Sequence, residues 1–163
     1  MEVFEQIYRE NSAPVYSFLY KLCGDKSEAE ELTQETFFRA LKSFDKFRGD
    51  STVFTWLIAI AKRTYYAYLK NKKRGLDQID ITEIVDTYCE GGESMEDKVM
   101  RELVAQRVRE LTRKLPEKYR DVVMLRIYAD MTFAEIGQTI GITENSAKVI
   151  YYRAKNMLKE KLK

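Results

Sequence analysis

Histidine is absent from the chain, and its two cysteines, Cys23 and Cys89, lack C-x-x-C spacing. Imidazole acid–base catalysis and thiolate zinc sites therefore have no material to work with, and no metal or cofactor is expected. The chemically expressive residues are rings and cations. Between Trp56 and Arg74 the sequence interleaves Trp56, Lys62, Arg63, Tyr65, Tyr66, Tyr68, Lys70, Lys72, Lys73 and Arg74, with no acid from Lys62 onward. Unpaired bases can lie on aromatic faces, worth about 1 to 3 kcal/mol per base, while cations follow the phosphates. A single-strand-binding face is expected from Trp56, Lys62, Arg63, Tyr65, Tyr66, Lys70, Lys73 and Arg74. One helix cannot turn every ring outward, so about half of Trp56, Tyr65, Tyr66 and Tyr68 should belong to a core.

A second group lies near the C-terminus. Thr132-Phe133-Ala134-Glu135 is a T-x-x-E capping box opening a short helix to Ile140, and Gly141-Ile142-Thr143 leads into a last helix from Glu144 to about Leu162. With Gly141 as the left-handed turn residue and Gly137 allowing close approach, Ile136, Ile140, Ile142, Ala147 and Ile150 fall where a helix-turn-helix needs apolar contacts. Asn145, Ser146, Lys148, Val149, Tyr152 and Arg153 then face a major groove, with Lys155 nearer the phosphates.

The elements that must position these groups read as helices throughout. Apolar residues recur at helical spacing in three N-terminal stretches: Phe4 to Leu22, with Pro14 expected to kink or restart it; Ala29 to Phe44, opened by the Ser27–Glu30 capping box; and about Val53 to Lys70, with an N-cap from Arg48–Ser51. Val99, Leu103, Val104, Val108, Leu111 and Leu115 form a further stripe, and Tyr119, Val122, Val123, Leu125 and Ile127 another, toward a second core. The expected fold is all-α: two small helical domains, residues 1–74 and 97–163, joined by an acidic linker at 75–96 with one short helical turn near Ile79–Val85.

A content of 45% hydrophobic and 33% charged residues with only two prolines suits a soluble helical protein. No apolar run approaches the roughly 18 residues of a membrane span. The start, with Glu2 and Glu5, lacks the basic character of a signal peptide, so a cytoplasmic protein that is not membrane-inserted is expected. Cys23 reads as a small hydrophobe at a helix end. Net charge is only +2, so its distribution carries the information: bases from Lys62 to Arg74, acids from Asp77 to Asp97. That is a polyanion-binding surface followed by a segment that avoids or imitates nucleic acid.

These residues resemble the extracytoplasmic-function sigma factors of bacterial RNA polymerase, over nearly the whole chain. Ala29 to Ala40 is similar to the family's polymerase-binding helix, Phe54 to Ala61 to its promoter-melting helix, and Leu115-Pro116-Glu117-Lys118-Tyr119-Arg120 with the helix-turn-helix to its sigma-four domain. The resemblance implies a transcription initiation factor, not an enzyme, active under a stress or envelope signal. Its implied partners are core RNA polymerase, promoter DNA and an anti-sigma factor. It assigns the outer face of Glu31, Gln34, Glu35 and Arg39, which has no enzymatic geometry, to polymerase binding. The aromatic-basic helix would capture the melted minus-ten strand, and the helix-turn-helix would read the minus-thirty-five duplex. Two departures stand out. Arg63 and Ala67 occupy places where the family usually has asparagine and aspartate, which implies an altered minus-ten preference, and Lys148-Val149-Ile150 replaces a common Lys-Ser-Arg run. A conventional helix-turn-helix regulator with an N-terminal sensor is the runner-up, but it has no use for the aromatic-basic helix. A nuclease is a distant third, for want of a metal-ligand set.

Overall fold

The computed structural model describes residues 2–72 and 94–162, and among them every regular element is a helix. α1 (Glu2–Cys23), α2 (Lys26–Ser43) and α3 (Val53–Lys72) form an N-terminal bundle; α4 (Met95–Arg113), α5 (Glu117–Val123), α6 (Phe133–Ile140) and α7 (Glu144–Leu162) form a C-terminal one. The all-α expectation holds. The expected linker lies mostly outside the described residues, as does the helical turn at Ile79–Val85; its last two residues, Met95 and Glu96, already belong to α4, which Ser94 caps.

In α1 the buried Ile7, Val15, Phe18, Leu19 and Leu22 form one helical stripe. Pro14 neither restarts nor ends this helix. Both Pro14 and Glu10, whose carbonyl loses its intrahelical donor, are exposed, so water can satisfy that oxygen. Gly24 does end it. Its φ of +75° is a left-handed conformation open to glycine, and its N–H closes on the Tyr20 carbonyl at 2.7 Å. The chain leaves that turn extended at Asp25, whose carboxylate accepts the Glu28 N–H at 2.9 Å. Asp25 is thus the N-cap of α2. The Ser27–Glu30 box expected there is overtaken, because the turn makes Asp25 the first residue able to cap. α3 likewise starts on the Thr52 hydroxyl, which accepts the Thr55 N–H at 3.1 Å, beyond the expected Arg48–Ser51.

α4 corrects the apolar stripe. Leu111 buries, but Leu103 and Val104 are 44% and 52% exposed, and the buried positions in the first half are Lys98 and Glu102. The cause is what α4 packs against, the carbonyl end of α1, which carries partial negative charge and needs donors. Arg109 donates to the Lys21 carbonyl at 2.8 Å and to Glu102 at 3.0 Å, so the polar side of the helix turns inward. α5 runs on as a π-helical turn, Met124–Tyr128. The wider turn shifts the phase of later residues, so Ile127, expected in the core, is exposed while Met124 and Leu125 bury.

The helix-turn-helix forms as its residues require. Both arms of the Thr132–Glu135 capping box are present, and Gly141 is left-handed at φ 76°. Thr143 then accepts the Ser146 N–H at 3.1 Å to open α7. Apolar packing does not separate into two equal cores. One cluster runs from Phe18, Leu19 and Leu57 through to Val122, Met124 and Ile136, and the expected second core is a smaller group of Leu111, Leu115, Val123, Ala154 and Leu158.

A Cβ on Gly137 would stand 2.5 Å from the Ile142 carbonyl oxygen, which is backbone and cannot swing aside. Gly137→Ala is expected to cost about 1 to 3 kcal/mol in urea unfolding. An unchanged midpoint would show that α6 and α7 do not approach this closely.

Candidate nucleic-acid interface

α3 buries Thr55, Leu57, Ile58, Ile60, Ala61, Thr64 and Tyr65. At intervals of three and four residues this leaves an outward stripe of Trp56, Ala59, Arg63, Ala67 and Lys70, in which Arg63 and Lys70 are exposed. Trp56 is half-buried, its indole held 4.8 Å from the Phe47 ring and 6.3 Å from Phe44. Lys73 and Arg74 lie outside the described residues. Tyr65 is a correction: expected on the strand-binding face, it is wholly buried, its hydroxyl donating to the Leu22 carbonyl at 3.3 Å and accepting from Arg113 at 3.0 Å. Its position on the wheel beside Ala61 and Ile58 places it in the core, so it offers no ring to a base in this structure.

Lys62 and Tyr66, one turn apart, are neither core nor free. Both bond to Asp121, a carboxylate only 8% exposed at the end of α5. Lys62 Nζ lies 3.3 Å from Oδ2, and the Tyr66 hydroxyl donates to Oδ1. Arg120 donates to the Tyr66 oxygen at 3.1 Å, and its guanidinium lies 4.3 Å over the phenol ring. Burial pushes the Tyr66 hydroxyl far up, and its bond to Asp121 pushes it further, so it stays a donor. On the other side of the contact, Arg113 reaches the Leu22 carbonyl at 3.3 Å beside the Arg109 bond to Lys21. These are desolvated, charge-assisted bonds, and removing one partner typically costs about 3 to 5 kcal/mol. The exposed Lys21–Asp130 pair at 3.7 Å belongs to the class worth about 1 kcal/mol or less.

The second face is open. Asn145, Ser146, Lys148, Val149, Tyr152 and Arg153 all reach solvent along α7, opposite the buried Ala147, Ile150 and Ala154. Tyr152 is steadied 6.5 Å from Phe133, whose ring is covered by the Arg126 guanidinium at 4.4 Å. On α2, Glu31, Gln34, Glu35 and Arg39 are exposed as expected, with Glu35 and Arg39 paired at 2.9 Å. Sequence reasoning missed the apolar part of that face: Phe38 and Leu41 are also exposed, with Lys42 4.3 Å over the Phe38 ring. It also missed Arg109, Arg113, Arg120 and Asp121, whose partners lie tens of residues away and leave no local signature. No group of metal-binding side chains occurs among the described residues.

A helix-turn-helix with a bare recognition face, joined to a bundle that carries rings and cations along one helix, defines a two-part helical DNA-binding protein. Comparison with known proteins narrows the class. Sigma-70 region 2 matches residues 7–75 and sigma-70 region 4 matches residues 105–158. The chain is 30% identical over 154 residues to the ECF RNA polymerase sigma factor BldN of Streptomyces coelicolor, covering 94% of this chain and 58% of that protein's length. It is 29% identical over 155 residues to SigW of Bacillus subtilis, covering 91% of this chain and 83% of the relative. The fold is shared with the sigma factor RpoE of Bartonella quintana, solved in complex with the anti-sigma factor NepR, at a TM-score of 0.64 and 19% identity over 99% of this chain and 98% of that one. The chain belongs to the sigma-70 family, as an extracytoplasmic-function sigma factor of RNA polymerase: a promoter-recognition subunit for transcription initiation.

Alkaline pH tests the packing around α1. Burial pushes the Cys23 thiol from 9.0 up to about 11, and raises the Tyr65, Tyr66 and Tyr128 hydroxyls as well. Each group ionises first in the unfolded chain, so the stabilisation is complete below about pH 9 and declines as pH rises toward 11. Urea midpoints should fall across that window, and Cys23→Ala should flatten part of the fall. A pH-independent midpoint would contradict the burial.

Proposed function

We propose that three faces divide the work of promoter recognition. The outer face of α2, with Glu31, Gln34, Glu35 and Arg39 around the exposed Phe38 and Leu41, docks on core RNA polymerase; an apolar centre with a charged rim is the composition of a protein interface. The outer stripe of α3, with Trp56, Arg63 and Lys70, together with the adjoining Lys62 and Tyr66 and with Lys73 and Arg74 that follow in sequence, captures the melted minus-ten strand. Asn145, Ser146, Lys148, Val149, Tyr152 and Arg153 read the minus-thirty-five duplex. The reading is carried by one observation: all six of these α7 residues are accessible on a helix whose opposite face is locked into the helix-turn-helix.

The working units are residues 1–74 and 97–163, joined by the acidic segment 75–96. The chain itself makes and breaks no bonds; the polymerase does. An anti-sigma protein is a further partner, as in the solved complexes of CnrH with the cytosolic domain of CnrY and of RpoE with NepR, and it would release the chain under a stress or envelope signal. No helix among the described residues is long and apolar enough to cross a membrane; the proposed place of action, beside the polymerase in the cytoplasm, follows from the sigma-factor reading.

Run-off transcription with purified core polymerase and a promoter library tests the division. Lys148→Ala is expected to relax minus-thirty-five selectivity by about 1 to 3 kcal/mol without abolishing open-complex formation. Arg63→Ala with Lys70→Ala is expected to weaken opening on all promoters and to lower the salt dependence by about one ion per lost phosphate contact. Glu35→Ala should lose competition for core. Specific duplex binding that persists unchanged without polymerase, with no association to core, would replace this reading by that of an ordinary helix-turn-helix regulator.

A further inference from the structure

We propose that Arg120 and Asp121 imitate a nucleotide, and that their hold on Lys62 and Tyr66 is an autoinhibitory latch that withholds the strand-capturing side of α3 while leaving the duplex-reading face free. The proposal rests on the reading of α3 as a single-strand surface. A strand would offer that surface an anionic oxygen for its cations and hydroxyls, and a flat group for its rings. The structure supplies both from within. The Asp121 carboxylate accepts from Lys62 Nζ at 3.3 Å and from the Tyr66 hydroxyl, as a phosphate oxygen would. The planar Arg120 guanidinium lies 4.3 Å over the Tyr66 ring, where a base would stack. Lys62 and Tyr66 are successive positions on one side of α3, so the pair is occupied together.

A second anchor keeps the contact closed at its far end. Arg109 and Arg113 cap the Lys21 and Leu22 carbonyls at the end of α1, at 2.8 and 3.3 Å, and Arg113 also holds the Tyr65 hydroxyl. None of the exposed α7 residues takes part: Lys148, Tyr152 and Arg153 remain in solvent. The closed chain can therefore meet duplex DNA, but it meets a single strand with Lys62 and Tyr66 already engaged. When only a fraction of molecules is open, apparent affinity falls by that fraction.

The test uses the full chain without polymerase. Fluorescence anisotropy measures binding to a labelled mixed-sequence single strand, small-angle X-ray scattering measures dimensions, and circular dichroism checks that the helices are intact. Asp121→Asn and Arg120→Ala are each expected to enlarge the radius of gyration and to tighten single-strand binding about tenfold. Adding Lys62→Ala to Asp121→Asn should remove the gain. A folded Asp121→Asn chain with unchanged dimensions and unchanged affinity overturns the latch. A chain that opens yet gains no affinity also overturns it; in that case, if Arg63→Ala with Lys70→Ala leaves holoenzyme opening intact, the reading of α3 fails too, whereas impaired opening confines the failure to the latch. Should Asp121→Asn not fold, Arg109→Gln with Arg113→Gln severs the other anchor and is read by the same outcomes.

Discussion

A carboxylate withdrawn from water must be surrounded by donors, and Asp121, at 8% exposure, finds Lys62 and Tyr66 on α3 and Arg120 beside it in sequence. The requirement is mutual. Tyr66 needs an acceptor for a hydroxyl that burial keeps protonated, and Lys62 needs an anion for an ammonium whose side chain is only 14% accessible. Neither bundle satisfies these groups alone. The arrangement of the two halves is therefore set by polar complementarity over an apolar floor of Val122, Met124 and Leu125, which belongs to the same cluster as Leu57 and Ile58. Hydrophobic area alone would tolerate sliding, whereas a buried charge with three named partners does not.

That constraint explains why the two faces proposed to bind nucleic acid differ in availability. α3 serves two masters: its inner stripe completes the N-terminal core, and the adjoining Lys62–Tyr66 side completes the contact with α5. Only the third side, Trp56, Arg63 and Lys70, is left for solvent. α7 has a simpler position. Its inner stripe of Ala147, Ile150, Ala154 and Leu158 packs within the C-terminal bundle, and Asn145, Ser146, Lys148, Val149, Tyr152 and Arg153 on its outer side are exposed. A protein that must hold duplex DNA before single-stranded DNA exists has reason to keep these faces on separate helices.

Much of this was legible because it is local. The Thr132–Glu135 capping box, the left-handed Gly141 and the small Gly137 are signals spanning a few residues, and each does what its chemistry requires. The exposure of Lys148 and Arg153 follows from the same register. What misled was tertiary. The Leu103–Val104 side of α4 looked like core until the carbonyl end of α1 claimed the opposite side with Arg109 and Glu102. Tyr65 read as a stacking ring because its type suits nucleic acid, yet its phase on the helix puts it among Leu57, Ile58 and Ala61. Ile127 was misplaced by a π turn that no propensity announces. The Asp121 contact joins residues 55 and 59 positions apart, beyond any periodicity argument.

The departure from the family pattern at Arg63 and Ala67 acquires meaning from the same geometry. Arg63 and Ala67 both fall on the outward stripe of α3, between Trp56 and Lys70, and not on the side that meets Asp121. The aspartate usual at the place of Ala67 would put a negative charge on the surface proposed to approach phosphates, and the asparagine usual at the place of Arg63 would remove a positive one; arginine and alanine leave that stripe basic and with no acid. On the latch proposal, electrostatic attraction to a strand is carried by groups that the closed arrangement does not occupy, and Lys62 and Tyr66, bonded to Asp121, add their bonds only on its release. On the proposed reading of α3, the longer reach of backbone attraction compared with stacking or hydrogen bonding sets the order in which these groups would engage a melted strand: Arg63 and Lys70 first, Lys62 and Tyr66 after the halves separate.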